Sequence, residues 1–322
     1  MTYCEFHNTL KTMLQGTDLF KNCTLKDVDV PRNNETLKGI CIVNPSAQGE
    51  GTAPVFYTKA LYKEYQGGMP IDIIAQNMIA AYQKMHTSDS MIALVERRAN
   101  PENLRTAIVS YEANKEWLKD LPYERIADLA VFLTLDLDEK HFVKVNRALM
   151  DKIRISDSEA FRAAKENMAS DALLSDLLLQ SCVRLDASDS YIYRFYNKLP
   201  YPALVLTTAE GYDGASLLAN AKVLAKIRRV FGKDFIILPS SIHELIVLPT
   251  CEDMRNDTTD LIGMVRSINR EYVDPADKLS DYVYYYDGAG VKMLQGKSWK
   301  ITNAKKGRAP LKSGFFFEMT GK

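Results

Sequence analysis

The apolar positions change period several times along the chain, and each change marks an element. Tyr3, Phe6, Leu10, Met13 and Leu14 recur at helical spacing, while Thr2 and Glu5 have the spacing of a capping box and Gly16 suits the stop. A first amphipathic helix is predicted. CTLKDVDV and TLKGICIV alternate around the turn-rich segment from Pro31 to Glu35, and the short PVFYT follows, which predicts a three-stranded meander. Pro70 opens a helix with Ile71, Ile74, Met78, Ala81, Tyr82 and Met85 along one face. Residues 88–120 read as mostly helical, with NLRTAIVSY open between strand and helix. LAVFLTLDL and HFVKV, joined through Asp138 and Glu139, read as a hairpin. A helix from Ser156 and a second apolar helical stretch, ALLSDLLLQS, then lead to a polar Asp/Ser segment near residue 186, the candidate domain boundary.

The pattern is densest from Phe235 to Pro249, FIILPSSIHELIVLP, where two apolar runs flank a polar bend. Around that hairpin the order is ALVLTTA as strand, GASLLANAKVLAKIRRVFG as helix ending at Gly232, DFIILPS and IHELIVLP as strands, DTTDLIGMVRSINREYV as helix capped near Asp257, and DYVYYYD as strand. This β-α-β-β-α-β order predicts a ferredoxin-like C-terminal domain, an arrangement that hosts many unrelated functions. GVKML extends it across Asp287 and Gly288, a hairpin turn signal. The expected class is α+β: an N-terminal region of helices with small antiparallel hairpins over 1–195, a ferredoxin-like domain over 196–294 and a basic tail over 295–322.

Composition narrows the partners. Apolar residues make up 46% and charged residues 25%, and 41 basic side chains balance 41 acidic ones, so a general polyanion binder is disfavoured. Cys4, Cys23, Cys41, Cys182 and Cys251 are scattered, odd in number and never in a C-x-x-C pair, which reads as reduced thiols in a cytoplasmic protein. No apolar run reaches the ~20 residues of a membrane span, and MTYCEFHNTLK lacks the features of a signal peptide. No membrane association and no cofactor are expected.

Candidate chemistry centres on the bend. Ser240, Ser241, His243 and Glu244 place a nucleophile, a base and an acid inside five residues, the raw material of a hydrolase-like site. If the strand began at Ser241, however, Ser241 and His243 would share a face and Glu244 would point to the other. A zinc site of the HExxH type would need a second histidine where Val247 stands, and His7, His86 and His141 lie far apart in sequence. Gly296, Lys297 and Ser298 lack the earlier glycine of a phosphate loop, since Val291 occupies its place. EGYDGAS has the wrong spacing for a dinucleotide fingerprint; it reads as a strand-to-helix turn, with an anion site at the N-terminus of the helix that follows as the alternative. Tyr282, Tyr284 and Tyr286 would line one face of a strand, as sheet core, as a partner surface or as a base-stacking ladder. From Gln295 onward, seven basic residues, including Lys305, Lys306 and Arg308, stand against one acid, with Trp299 and Phe315 to Phe317 between them.

APVFYTKALYKEYQGG, DLAVFLTLDLDEKHFVKVN, LPSSIHELIVLP and LSDYVYYYD, in this order, resemble an uncharacterised bacterial family of unknown function, DUF5688-like, found in anaerobic Gram-positive gut bacteria and their mobile elements. The resemblance spans roughly residues 1–290. It implies a soluble bacterial protein and carries over no catalytic residues. The leading functional expectation is a non-enzymatic cytosolic accessory protein acting through a protein partner or self-association. Two alternatives stand beside it: a hydrolase-like enzyme using Ser241 and His243, and nucleic-acid binding through the basic tail. The last makes a direct prediction. Truncation after Leu294 should abolish binding to nucleic acid, and binding by the full chain should fall steeply with salt in a filter or mobility assay; retention by the truncated protein refutes it.

Overall fold

The computed structural model describes residues 1–45, 53–87, 91–138, 141–250 and 258–294. Trp299, Lys305, Lys306, Arg308, Phe315 to Phe317 and the expected cap at Asp257 lie outside these residues. The chain divides into two compact units, Met1–Arg98 and Ala99–Lys322.

In the first unit, α1 (Tyr3–Gln15) begins with the capping box expected of Thr2 and Glu5. The strands β1 (Thr24–Arg32), β2 (Glu35–Val43) and β3 (Val55–Tyr57) pair in that order as an antiparallel meander. The helices α2 (Thr58–Gln66), α3 (Ile71–Thr87) and α4 (Met91–Arg98) follow. Alternation on β2 sends Ile40 and Ile42 inward against Phe6, Leu10 and Leu14 of α1 and Ile74 and Met78 of α3. Phe20 meets Tyr82 edge-on at 4.8 Å within the same core.

The second unit opens with β4 (Leu104–Ser110), α5 (Tyr111–Leu118), β5 (Tyr123–Ile126), β6 (Leu129–Asp136) and β7 (Phe142–Lys144). The ambiguous NLRTAIVSY is thus a strand through Ser110. β6 is apolar along almost its whole length because it is covered on both faces and paired on both edges. β4 runs along one edge, and β5 and β7 share the other, opposite Leu129–Phe132 and Thr134–Asp136 respectively. Next come α6 (Arg147–Ile153), α7 (Asp157–Ser170), β8 (Ala172–Ser175) and β9 (Cys182–Arg184). The stretch ALLSDLLLQS is therefore a strand and a turn, not a helix. Its physical cause is Asp176, whose carboxylate accepts from the backbone N–H groups of Leu178, Gln180 and Ser181, closing a turn that leaves Leu178 and Leu179 exposed.

The remaining elements are α8 (Asp189–Lys198), β10 (Leu204–Thr208), a 3₁₀ turn at Gly214–Ala219, α9 (Ala221–Phe231), β11 (Phe235–Pro239), β12 (Leu245–Pro249), α10 (Thr259–Glu271), β13 (Val283–Tyr286) and β14 (Val291–Leu294). On α9, Val223, Leu224, Ile227, Val230 and Phe231 form the buried stripe; Asn220 caps its start and Gly232, at φ +66°, its end.

The strand order is β14-β13-β11-β12-β10-β8-β9. The mixed α+β class holds, but this order differs from the expected ferredoxin-like one. The half β10-α9-β11 with β12 inserted antiparallel between the two strands is present. The fourth strand, β13, then pairs with β11 instead of β10, because β8 already occupies the free edge of β10 through Val205–Thr208. The same pairing bears on the domain boundary expected at 195/196. Strands on both sides of it belong to one sheet, and the polar residues near 186 serve as local partners: Asp186 pairs with Arg184, and Ser188 caps α8.

Hydroxyl and carboxylate groups tie the four-stranded sheet to the elements around it. Thr106 Oγ1 donates to Ser216 Oγ at 3.0 Å, both fully buried, and Asp128 accepts from Tyr284 Oη at 2.8 Å and Ser280 Oγ at 2.9 Å. Tyr284→Phe therefore strips a half-buried carboxylate of one donor. It should destabilise the full chain by about 1–3 kcal/mol in urea unfolding; a loss under ~0.5 kcal/mol would show that Asp128 is satisfied without it.

Candidate functional site

The sequence-predicted bend does not form a nucleophile site. Residues 240–244 are irregular backbone between β11 and β12, so strand alternation does not govern them. Ser241 Oγ accepts from the backbone N–H of His243 at 3.0 Å, and Ser240 Oγ donates to Glu244 at 2.8 Å; neither hydroxyl meets the imidazole. The ring is held elsewhere. Its Nδ1 accepts from the backbone N–H of Asp213 at 3.3 Å, which places the hydrogen of the neutral ring on Nε2, 3.4 Å from Asp277 Oδ1. Tyr212 packs edge-on against it at 5.5 Å.

The tyrosine ladder is core. Tyr284 and Tyr286 are buried, Tyr286 against Phe235 at 5.3 Å, and between them Tyr285 donates to Asp234 at 2.6 Å. Both faces of β13 are covered, so no stacking surface is presented. Burial, together with Asp128 beside Tyr284 and Asp234 beside Tyr285, holds these two hydroxyls protonated, raised well above the ordinary phenol range. Tyr282 is half-buried beside them.

His243 instead joins the loops that border a different cleft. Thr207 Oγ1 donates to the His243 carbonyl oxygen at 3.0 Å, Ala215 N–H donates to the Ile242 carbonyl, and Ile242 N–H donates to the Asp277 carbonyl at 2.8 Å. Gly214 makes this approach possible: a Cβ there would lie 2.4 Å from the His243 carbonyl oxygen and 2.7 Å from Thr207 Cα. The preceding residue, Asp213, adopts a left-handed conformation at φ +52°, a region that Asp and Asn tolerate best among side-chain-bearing residues.

The cleft has a volume of about 380 Å³ and lies at the C-terminal ends of β6 and β10, where β4 begins and α7 ends. Its floor is Arg105. The guanidinium donates through Nε to Asp136 at 2.8 Å and through Nη1 to Asp171 at 2.5 Å, with 19% of the side chain exposed. Asp138, Glu210 and Asp213 add three more carboxylates, and His141, whose Nδ1 is 2.8 Å from Asp138, stands beside them. Five carboxylates thus face one guanidinium that two of them already engage. Phe142 and Tyr212, both more than half exposed, also line the cleft. Among the described residues, no three His, Cys, Asp or Glu side chains converge as a metal-binding group.

Asp213 is the perturbed member. It keeps part of its surface open to the cleft while protein crowds it elsewhere, and this loss of hydration pushes its carboxyl up to about 6; His243 and Arg105 pull down, and Asp136 pushes up. A carboxyl titrating near neutrality in a cleft is a mark of a functional site. From the sequence its segment, EGYDGAS, reads as a turn or as an anion site, whereas the structure places Glu210 and Asp213 of that segment in an acidic cleft. The signal present there was the pair Asp213-Gly214 after a buried strand, and the partner carboxylates come from positions 136, 138 and 171, which no local pattern links.

The match to known proteins is to a family model covering residues 3–288. The chain belongs to the family of unknown function DUF5688. The span includes every element from α1 to β13 and every residue of the cleft. No curated protein and no solved structure matches the chain.

In the first unit of this DUF5688 chain, a smaller cleft of about 300 Å³ contains His7, whose Nε2 lies 2.9 Å from Asp27 and whose Nδ1 lies 3.1 Å from Thr58 Oγ1. The order acid, imidazole, hydroxyl looks like a triad, but Thr58 is fully buried and its hydroxyl also meets Tyr3 Oη at 2.7 Å. It is a closed structural network. Each described imidazole therefore faces an aspartate: His7 with Asp27, His141 with Asp138, His243 with Asp277. The four described cysteines are free, and no described helix is long and apolar enough to cross a membrane.

Asp213 gives a pH prediction with a definite sign. Its folded pKa near 6 exceeds the ordinary value of 3.8, so the folded state holds the proton more tightly and stability falls as pH rises from ~4 to ~6. Asp213→Asn removes that penalty and suits the left-handed backbone. Denaturant unfolding should show no gain at pH 4 and a gain of about 1–2 kcal/mol above pH 6, less than the full shift implies because the carboxyl retains an open side. A gain independent of pH would refute the assignment.

Proposed function

We propose that the second unit is a non-enzymatic recognition module that acts through protein contacts, taking a basic side chain of a partner into the acidic cleft. The observation that carries this reading is the charge of the lining: of its five carboxylates, Asp136 and Asp171 pair with Arg105 and Asp138 with His141, while Glu210 and Asp213 form no ion pair among the described residues. A cationic head group entering between Glu210 and Asp213 meets carboxylates with no ion pair among the described residues, in a partly dehydrated site where charge-assisted hydrogen bonds are strong. The exposed rings of Tyr212 and Phe142 suit the rest of such a side chain, since an aliphatic stem packs on an aromatic face and a cation is attracted to it.

A second reading, an enzyme, is favoured by one observation, the Asp213 carboxyl near 6, which can exchange a proton at neutral pH. It draws no support from Ser241, whose hydroxyl faces the backbone of His243. Nucleic-acid binding through the tail at 295–322 remains a separate proposal, and the cleft's charge gives it no help. The setting we propose is the bacterial cytosol, as a host or mobile-element accessory factor. Free thiols at Cys4, Cys23, Cys41 and Cys182 support the compartment, and the family resemblance supports the source.

Calorimetry of the full chain with short capped peptides tests the reading. Lys- and Arg-containing peptides should bind, acidic ones should not, and Glu210→Gln should weaken the basic peptides by about tenfold, with affinity falling as salt rises. Equal binding of acidic and basic peptides, or indifference to Glu210→Gln, contradicts it.

A further inference from the structure

A second cleft of the same unit, about 330 Å³, runs between α10 and strands β10, β11 and β12. Its walls are apolar, with Val205, Leu238 and Ile246 from the sheet and Met264, Val265 and Ile268 from the helix. It exists because one helix is asked to cover a wide sheet. The apolar cluster on this face extends from Leu294 of β14 through Val283, Ile236 and Leu248 to Val205 and Leu177, yet all its helical members come from α10. A helix of 13 residues is about 20 Å long and 10 Å across, so the β10 side stays open. Leu179 and Tyr272 line the groove with their side chains largely exposed. At the bend stands Glu244, which accepts from Ser240 and, among the described residues, faces no cation.

We propose that this groove is the docking site of the aromatic run Phe315–Phe317 of the chain's own C-terminal segment, folded back within the same molecule. Three observations converge on that occupant. Leu294, the last described residue, is buried in the very cluster that forms the groove's wall, so the segment departs from this face. The span from β14 to β10 is four strand spacings, about 19 Å, and a random coil of as many residues as separate 295 from 315 would have a root-mean-square reach of about 25 Å. Such a match of linker to span gives an effective concentration in the millimolar range. The chemistry also fits. Three consecutive phenylalanines supply apolar surface that needs cover, and the seven basic residues of the segment, Lys312 nearest to the run, supply the charge that Glu244 lacks. Ser240 and Glu244, conspicuous in the sequence as candidate chemistry, become the polar end of a docking groove.

The test uses the full chain and its F315A/F316A/F317A variant, which alters no residue lining the groove. The probe is a capped synthetic peptide of residues 313–319, which carries no basic side chain and so does not address the acidic cleft. The triple variant should bind it at least tenfold more tightly than the unaltered chain, whose groove its own segment already fills. Adding Leu179→Lys, an exposed rim substitution, should weaken capture by the triple variant about tenfold, whereas adding Glu210→Gln in the acidic cleft should leave it unchanged. That last control separates this inference from the reading of the acidic cleft. Equal binding by the two chains, or no binding by the triple variant, overturns the proposal. So does protection of the groove only when the unaltered chain self-associates at high concentration, which would make a second copy the occupant.

Discussion

The half-buried guanidinium of Arg105 is the constraint on which the second unit depends. Lying near the start of β4, it reaches Asp136 at the end of β6 and Asp171 between α7 and β8, so that one charge joins the four-stranded sheet to the start of β8 in the seven-stranded one. A charge withdrawn from water is tolerable only with its partners in place, and removing one partner strands the other. The geometry is therefore held where it is, and its cost is paid in carboxylates. Asp136 and Asp171 are committed to Arg105, and Asp213 beside them, crowded by protein and pushed by Asp136, holds its proton to about pH 6. Structure and candidate function come from the same accounting of charge.

The neighbouring loops are fixed by uncharged groups. Thr207, Asp213, Ala215 and Ile242 exchange hydrogen bonds across a gap that only glycine at 214 allows, and His243 serves as an acceptor that anchors the backbone of Asp213. The imidazole is thus a positioning group for the carboxylate beside it. This explains how a residue prominent in the sequence bears on the cleft without the serine chemistry its neighbours suggested.

Much of the fold was legible because it is written in local period. The capping box at Thr2, the helix start at Ser156, the meander of β1 to β3, the stripe of α9 and the hairpins β6–β7 and β11–β12 follow from spacing alone. Sheet order was not legible, because nothing local tells β13 to join β11, and the competitor for the edge of β10, β8, was hidden in a leucine-rich stretch with helical composition. Asp176 decided that stretch through hydrogen bonds to its own turn. The cleft was less legible still. Arg105, Asp136, Asp171 and Asp213 are separated by dozens of residues, and each looks like an ordinary solvated charge until the sheets bring them together.

The most direct measurement of the central claim is a carbon-detected NMR titration of the Asp213 carboxyl in the full chain, with and without a saturating capped lysine peptide. If the cleft takes a cation, the new charge favours the carboxylate, and the midpoint near pH 6 should fall by at least one unit on binding. A midpoint that stays in place while the peptide is bound would contradict the account.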